Sequence, residues 1–223
     1  MDLRGETLGV AGGCLDADHI WCQVMTQGRS EQLRPALFLD RDGVIVEEVG
    51  YLHRVEDVKL IGGAAETIAA ANRRGLPVVV VSNQAGIARG YYGWNEFRQV
   101  QAALLDQLAL RGASIDAVFA CPYHPAGVGR YARASHPARK PEPGMLLRAA
   151  EMLRLDLERS WIIGDKSMDL MAGQAAGLCG GLLVLTGHGG SHRDAAAKLR
   201  SPEFQVLIGD SIRDAATLID LLG

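Results

Sequence analysis

Two carboxylates stand two residues apart in Asp40-Arg41-Asp42-Gly43, directly behind a short apolar run. At the end of a strand, side chains two apart share a face, and a following glycine lets the backbone approach a ligand closely. Such a pair has a defined chemical use. One carboxylate attacks phosphorus and the other shuttles a proton, dividing a difficult hydrolysis into formation and breakdown of an aspartyl-phosphate. Asp40 then reads as the nucleophile and Asp42 as general acid, then base. A solvated turn carries the same spacing, so the pair gains weight only from what joins it.

Three further polar groups lie downstream: Ser82-Asn83-Gln84, Arg139-Lys140-Pro141 and Gly164-Asp165-Lys166. Phosphoryl transfer gains mostly from positioned positive charge and hydrogen-bond donors, roles that suit Ser82 and Lys140. Lys140 precedes a proline, which biases it toward an extended backbone and helps to aim its side chain. Carboxylates packed around a phosphate dianion repel it unless a cation sits among them. Mg2+ is the usual remedy, with Asp40, Asp165 and the backbone carbonyl of Asp42 as expected ligands. Asp169 reads equally as support for that site and as an acid favoured in the first turn of a helix.

Buried strands are expected over 36–39, 77–81, 117–120, 161–163, 182–185 and 206–208, from short apolar runs. Helical spacing places helices over 64–74, 94–111, 145–155, 170–176 and about 212–222, several of them closed by glycine. The alternation predicts a doubly wound parallel α/β sheet with helices on both faces. Ligands in such a fold collect beyond the carboxyl ends of strands, where the four polar groups fall. Residues 1–34 have no sustained period and read as an N-terminal extension outside the core, leaving 35–223 as a single domain.

The composition, 48% hydrophobic and 22% charged over 223 residues, excludes disordered and fibrous chains. A net charge of -3 with interspersed signs argues against nucleic acid or an anionic membrane as the main partner and favours a small molecule. No apolar run is long enough to span a bilayer and no secretory leader is legible, so the chain is expected to be soluble, cytoplasmic and monomeric. Its four cysteines are widely spaced and read as reduced thiols.

In order, Phe38-Leu39-Asp40-Arg41-Asp42-Gly43-Val44, the strand ending in Ser82-Asn83-Gln84, Arg139-Lys140-Pro141-Glu142-Pro143-Gly144-Met145 and Ile163-Gly164-Asp165-Lys166 resemble the four motifs of haloacid dehalogenase-like phosphatases. The resemblance runs from about Pro35 to Gly187. Within that superfamily, Gly50-Tyr51, the Arg139-Lys140-Pro141 run and the segment from Ser82 through Gly86-Ile87-Ala88-Arg89-Gly90 resemble the heptose 1,7-bisphosphate 7-phosphatase family, an essentially capless branch. The resemblance implies a Mg2+-dependent phosphatase supplying heptose for lipopolysaccharide or related glycans, with a sugar bisphosphate as substrate. It further implies substrate contacts at Arg41, Glu48, Val49, Gly50, Tyr51, Asn83, Gln84, Ala85, Arg139 and Lys166. A guanidinium suits a second, non-reacting phosphate, the role expected of Arg139. A histidinol-phosphate phosphatase and a non-catalytic sugar-phosphate sensor are the rival readings.

The family typically carries a structural zinc in the loop before the Arg-Lys-Pro motif, and here the chain departs from it. The aligned positions read Cys121, Tyr123, His136 and Ala138. Cys121, His124 and His136 would supply three ligands where a closed site needs four. The loop over 122–138 is therefore expected to be ordered by packing and by its prolines.

Overall fold

The structure, a computed structural model, describes residues 12–26 and 32–222. Its strands are β1 (Cys14–Leu15), β2 (Trp21–Val24), β3 (Leu37–Leu39), β4 (Val78–Asn83), β5 (Ala117–Cys121), β6 (Trp161–Gly164), β7 (Gly180–Val184) and β8 (Gln205–Gly209). Its α-helices are α1 (Ala64–Arg73), α2 (Ala85–Ala88), α3 (Trp94–Ala109), α4 (Gly144–Leu153), α5 (Ser167–Ala176), α6 (Gly189–Ala197) and α7 (Ala215–Leu218). One sheet holds the strands in the order β1-β2-β5-β4-β3-β6-β7-β8.

The block from β5 to β8 is parallel. The chain opens this block at β3, builds outward through β4 and β5, then crosses back to β6 and builds the other way. Beyond the carboxyl ends of β3 and β6 the connections diverge, which leaves a crevice for a ligand. Leu39 of β3 is in register with Ile163 of β6, so Asp40 and Asp165 both emerge there.

Both faces of the strands are buried, which explains their unbroken apolar runs. Leu37, Leu39, Val78, Val80 and Ile163 pack with Ile68 of α1 and with Phe97, Val100, Leu104 and Leu108 of α3. Phe38, Val79, Val81 and Ile162 point to the opposite layer, with Met145, Leu146 and Ala149 of α4 and Leu170 and Ala172 of α5. This alternation anchors each strand from both sides and fixes the loops at its end.

Three details differ from expectation: the N-terminal segment, the last helix and an unread helix. The doubly wound α/β fold is as expected and its sheet is mostly parallel, but β2 runs antiparallel to both of its neighbours, β5 and β1, with Trp21 opposite Ala120 and Val24 opposite Ala117. Over 12–26 the N-terminal segment is thus part of the sheet rather than an extension outside the core. The edge of β5 would otherwise present unpaired backbone, and β2 covers it. Trp21 stacks on Trp94 at 5.8 Å and meets Phe97 edge-on at 5.6 Å. The remainder of 1–34 lies partly outside the described residues. The helix expected over 212–222 is instead broken: a 3-10 turn (Ile212–Asp214), α7, and a second 3-10 turn (Asp220–Leu222) separated by the extended, buried Ile219. Finally, α6 went unread because only Gly189 and Ala196 are buried on it, leaving no apolar stripe to detect.

Removing residues 1–26 is accordingly expected to destabilise the protein. Trp21→Ala alone is expected to cost about 3–5 kcal/mol, since it deletes a 5% exposed indole packed between two aromatic rings. Urea unfolding checks this; a variant as stable as the parent would mean that the hairpin contributes nothing to the core.

Candidate active site

The turn after β3 is set by backbone bonds. Asp40 N–H donates to the Ile163 carbonyl at 2.9 Å, and Gly43 N–H to that of Val46 at 2.8 Å. Gly43 has φ +80°, and a Cβ there would sit 2.5 Å from Asp165 Oδ2, so glycine is required on both counts. The tight turn brings the first and fourth motifs into contact.

Lys140 lies at the centre of the site, 1% exposed. Its ammonium donates to Asp40 Oδ1 at 2.9 Å, Asp169 Oδ1 at 2.7 Å and the Val81 carbonyl at 2.7 Å. Burial by itself would lower the Lys140 pKa, but the Asp169 and then the Asp40 carboxylates outweigh it and hold the ammonium above the usual lysine value. Asn83 clamps the same residue from the end of β4. Its Nδ2 donates to the Lys140 carbonyl at 2.9 Å, and its Oδ1 accepts from Lys140 N–H at 3.1 Å. Asn83 thus lines the cavity while its polar atoms serve Lys140.

Asp42 is gripped by its neighbour. Arg41 Nε and Nη2 reach both carboxylate oxygens at 2.9–3.2 Å, and Arg41 Nη2 also donates to Gln84 Oε1 at 3.2 Å. Gln84 Nε2 donates to Ser82 Oγ at 2.7 Å, and Tyr92 Oη donates to Gln84 Oε1 at 2.6 Å. Arg41 and Ser82 are both 1% exposed. This buried network joins the first motif to the second and holds the Asp42 carboxylate in place.

A cation fits between the acids. Ligand atoms of Asp40, Asp165 and Asp169 lie within 4.8 Å of one another. Asp165 is fully buried; its Oδ2 accepts from His188 N–H at 2.8 Å, while Oδ1 has no hydrogen-bond partner among the described residues. Burial, and then the Asp40 charge, push the Asp165 carboxyl up to about 7. Among the described residues its Oδ1 meets only the Lys166 ammonium, at 3.6 Å, and a divalent cation would relieve the repulsion among the three acids. Asp169 Oδ1 meets the Lys140 ammonium at 2.7 Å, and its Oδ2 accepts from Lys166 N–H at 3.0 Å at the start of α5.

Around these groups is a cavity of about 240 Å³. It brings together Asp40, Arg41, Asp42, Glu48, Gly50, Tyr51, Ser82, Asn83, Gln84, Ala85, Arg139, Lys140 and Lys166, with Asp165 buried below. Val49 is not brought in; its side chain is exposed. Leu52, Tyr92, Met168 and His188 also line the cavity and were not singled out from sequence. His188 follows β7, so the strand-end rule pointed to it. It meets Glu48 Oε2 at 3.4 Å, and Lys166 Nζ meets the same oxygen at 3.5 Å.

The three candidate zinc ligands are not gathered into a metal-holding group among the described residues. The Cys121 thiol is fully buried at the end of β5, and burial pushes its pKa up to about 11. His136 stacks on Tyr123 at 4.0 Å and accepts from Ala138 N–H, while His124 Nδ1 accepts from Ala126 N–H at 3.0 Å. Each has a structural task of its own. Protein purified without chelator is expected to hold well below one equivalent of zinc; a stoichiometric ion lost with structure on Cys121→Ser would refute this reading of the loop.

The family model Hydrolase_like (HAD-hyrolase-like) matches residues 137–215. The chain is 47% identical to the D-glycero-beta-D-manno-heptose-1,7-bisphosphate 7-phosphatase of Mesorhizobium japonicum, over 84% of this chain and 81% of the relative. It is 45% identical to the D-glycero-alpha-D-manno-heptose-1,7-bisphosphate 7-phosphatase of Burkholderia mallei, over 67% of this chain and 79% of the relative. Among solved structures it resembles the D,D-heptose 1,7-bisphosphate phosphatase of B. bronchiseptica complexed with magnesium and phosphate, with a TM-score of 0.71 and 27% identity over 82% of this chain and 96% of that one.

Proposed function

The chain belongs to the heptose-1,7-bisphosphate 7-phosphatase family of HAD-like hydrolases, and on that premise we propose that it removes the 7-phosphate of D-glycero-D-manno-heptose 1,7-bisphosphate. The observation that carries this reading is the grouping of Asp40, Asp165 and Asp169 around the buried Lys140 ammonium at the switch point of the sheet.

Asp40 attacks phosphorus, and the bond from phosphorus to the C7 oxygen breaks as Asp42 gives that oxygen a proton. Asp42, now a carboxylate, takes a proton from water. The resulting hydroxide equivalent attacks the aspartyl-phosphate, releasing inorganic phosphate and Asp40. Arg41 and Gln84 hold the Asp42 side chain in one position through both halves. Lys140 and Ser82 stabilise charge on the transferring group. Mg2+ held by Asp40, Asp165 and the Asp42 carbonyl would neutralise the carboxylates facing the dianion and polarise phosphoryl oxygens. Among the described residues no helix is long and apolar enough to cross a membrane; the role assigned to the enzyme is in heptose supply.

The direct test is phosphate release from both anomers of the heptose bisphosphate, fructose 1,6-bisphosphate and histidinol phosphate, each with Mg2+ and with chelator. One equivalent of phosphate from the heptose bisphosphate, with the 1-phosphate retained and no release under chelator, is expected. A preference for histidinol phosphate, or no release from any ester, would replace this reading with one of its rivals.

Arg139 is assigned to the phosphate that does not react. It lines the cavity, with Nη1 donating to the Tyr123 carbonyl at 2.8 Å. Arg139→Ala is expected to lower kcat/KM for the bisphosphate about tenfold more than for a monophosphate. Equal losses on both would remove Arg139 from that role.

A further inference from the structure

Tyr92 enters the buried network around Ser82 and Asp42 through a single atom, its hydroxyl oxygen. The residue is 9% exposed, lines the active-site cavity, and stacks on His53 with ring centres 5.6 Å apart and planes 5° from parallel. Gly86 makes room for it: a Cβ there would sit 2.1 Å from the Tyr92 ring. Tyr92 Oη meets Gln84 Oε1 at 2.6 Å, the shortest of the hydrogen bonds that the Gln84 side chain makes.

The donors around Gln84 fix which way its amide faces. A guanidinium can only donate, and Arg41 Nη2 reaches the Gln84 amide at 3.2 Å, so the atom it meets is the carbonyl oxygen Oε1. Tyr92 shares that oxygen and therefore donates as well. The amide nitrogen is left facing Ser82 Oγ at 2.7 Å and Asp42 Oδ2 at 3.4 Å, and it too can only donate. Ser82 Oγ is thus an acceptor from Gln84, and its own proton must point elsewhere. Among the described residues that proton has no acceptor, and Ser82 lines the cavity shared by Asp40 and Lys140.

We propose that Tyr92 is a positioning residue: its hydroxyl, together with Arg41, locks the Gln84 amide so that Ser82 presents its proton to the transferring phosphoryl group. The inference rests on the reading of the chain as a phosphatase in which Ser82 stabilises that group, and it deepens it. Donation runs one way, from Tyr92 through Gln84 and Ser82 to a phosphoryl oxygen. Each bond in such a chain polarises the next, so the donor at the far end strengthens the one that touches the substrate. Arg41 is divided between Gln84 and both Asp42 oxygens, whereas the Tyr92 hydroxyl serves Gln84 alone. Burial holds the phenol pKa above the usual tyrosine value, so the group stays a donor.

The test is a double-mutant cycle, with kcat and KM measured on 4-nitrophenyl phosphate so that the result does not depend on which sugar bisphosphate the protein takes. Tyr92→Phe removes the hydroxyl and keeps the ring that packs on Gly86 and His53. It is expected to lower kcat about three- to tenfold, with KM changed less than about twofold, because the serine proton matters most where charge develops. Ser82→Ala is expected to lower kcat about tenfold or more. In the Ser82→Ala background, Tyr92→Phe should then change kcat by less than about twofold, since no serine proton remains to be aimed. A hydroxyl that served only the packing would cost the same factor in both backgrounds. That result overturns the proposal, as does an unchanged kcat in Tyr92→Phe, a loss confined to KM, an unaffected Ser82→Ala, or a parent protein that hydrolyses no phosphate ester. Phosphate release from the heptose bisphosphate by the parent is measured alongside. If that ester is hydrolysed while the two substitutions act independently, only the role of Tyr92 fails. If they are coupled while the heptose bisphosphate is not hydrolysed, Tyr92 keeps its role in a phosphatase of a different ester.

Discussion

Asp40→Asn is expected to lower phosphate release about 10⁴-fold or more while leaving the protein folded. The amide matches the carboxylate in shape but has no anionic oxygen to attack phosphorus. The fold survives because the Lys140 ammonium keeps Asp169 at 2.7 Å and the Val81 carbonyl at 2.7 Å when the Asp40 charge is gone. The Asp40 N–H bond to Ile163 is made by backbone and is untouched. Phosphate release under saturating substrate, with unfolding curves for both proteins, makes the comparison. Activity within tenfold of the parent in a folded Asp40→Asn protein would end the case for a covalent aspartyl-phosphate.

Lys140→Met should be costly in two ways at once. Methionine fills a similar volume, so the defect is electrostatic: Asp40 and Asp169 lose the charge between them, and Asp169 stays 1% exposed beside Asp40 and Asp165. Removing one partner from a buried ion pair typically costs about 3–5 kcal/mol, because the remaining charge has no water to replace it. Turnover is expected to fall about 10²–10³-fold or more, since in the proposed reaction the ammonium also stabilises charge on the transferring phosphoryl group. Urea unfolding and kinetics on the same preparation test both halves. A variant of parental stability would show that the acids accommodate themselves without Lys140, and near-parental turnover would remove Lys140 from the chemistry. The two substitutions separate the roles: loss of the nucleophile leaves stability nearly intact, while loss of the ammonium takes both.

The strand-end positions of the site were legible because they depend on local order. Apolar runs such as 78–81 bury on both faces whatever their partners, helical spacing turns the chain back, and polar groups left at the carboxyl ends of strands must then share one edge of the sheet. That logic reaches Asp40, Ser82, Lys140 and Asp165 from spacing and residue type alone. It also explains two misreadings. Helix α6 buries too few apolar side chains to leave a period, and β2 is four residues whose value lies in covering the edge of β5, nearly a hundred residues away.

The roles of individual groups depended on contacts between distant parts of the chain, which no local pattern encodes. Asn83 and Lys140 are 57 positions apart, yet their two hydrogen bonds turn a residue read as a substrate contact into a clamp on Lys140. Asp169 is ambiguous as the third residue of α5 and becomes definite only when Lys140 lies 2.7 Å away. The contact of Arg41 with Gln84, 43 positions apart, has the same origin. Residue type and spacing determined which chemical groups this protein brings to the edge of its sheet. Only the tertiary structure decided which of them touch, because burial and charge act through space and not along the chain.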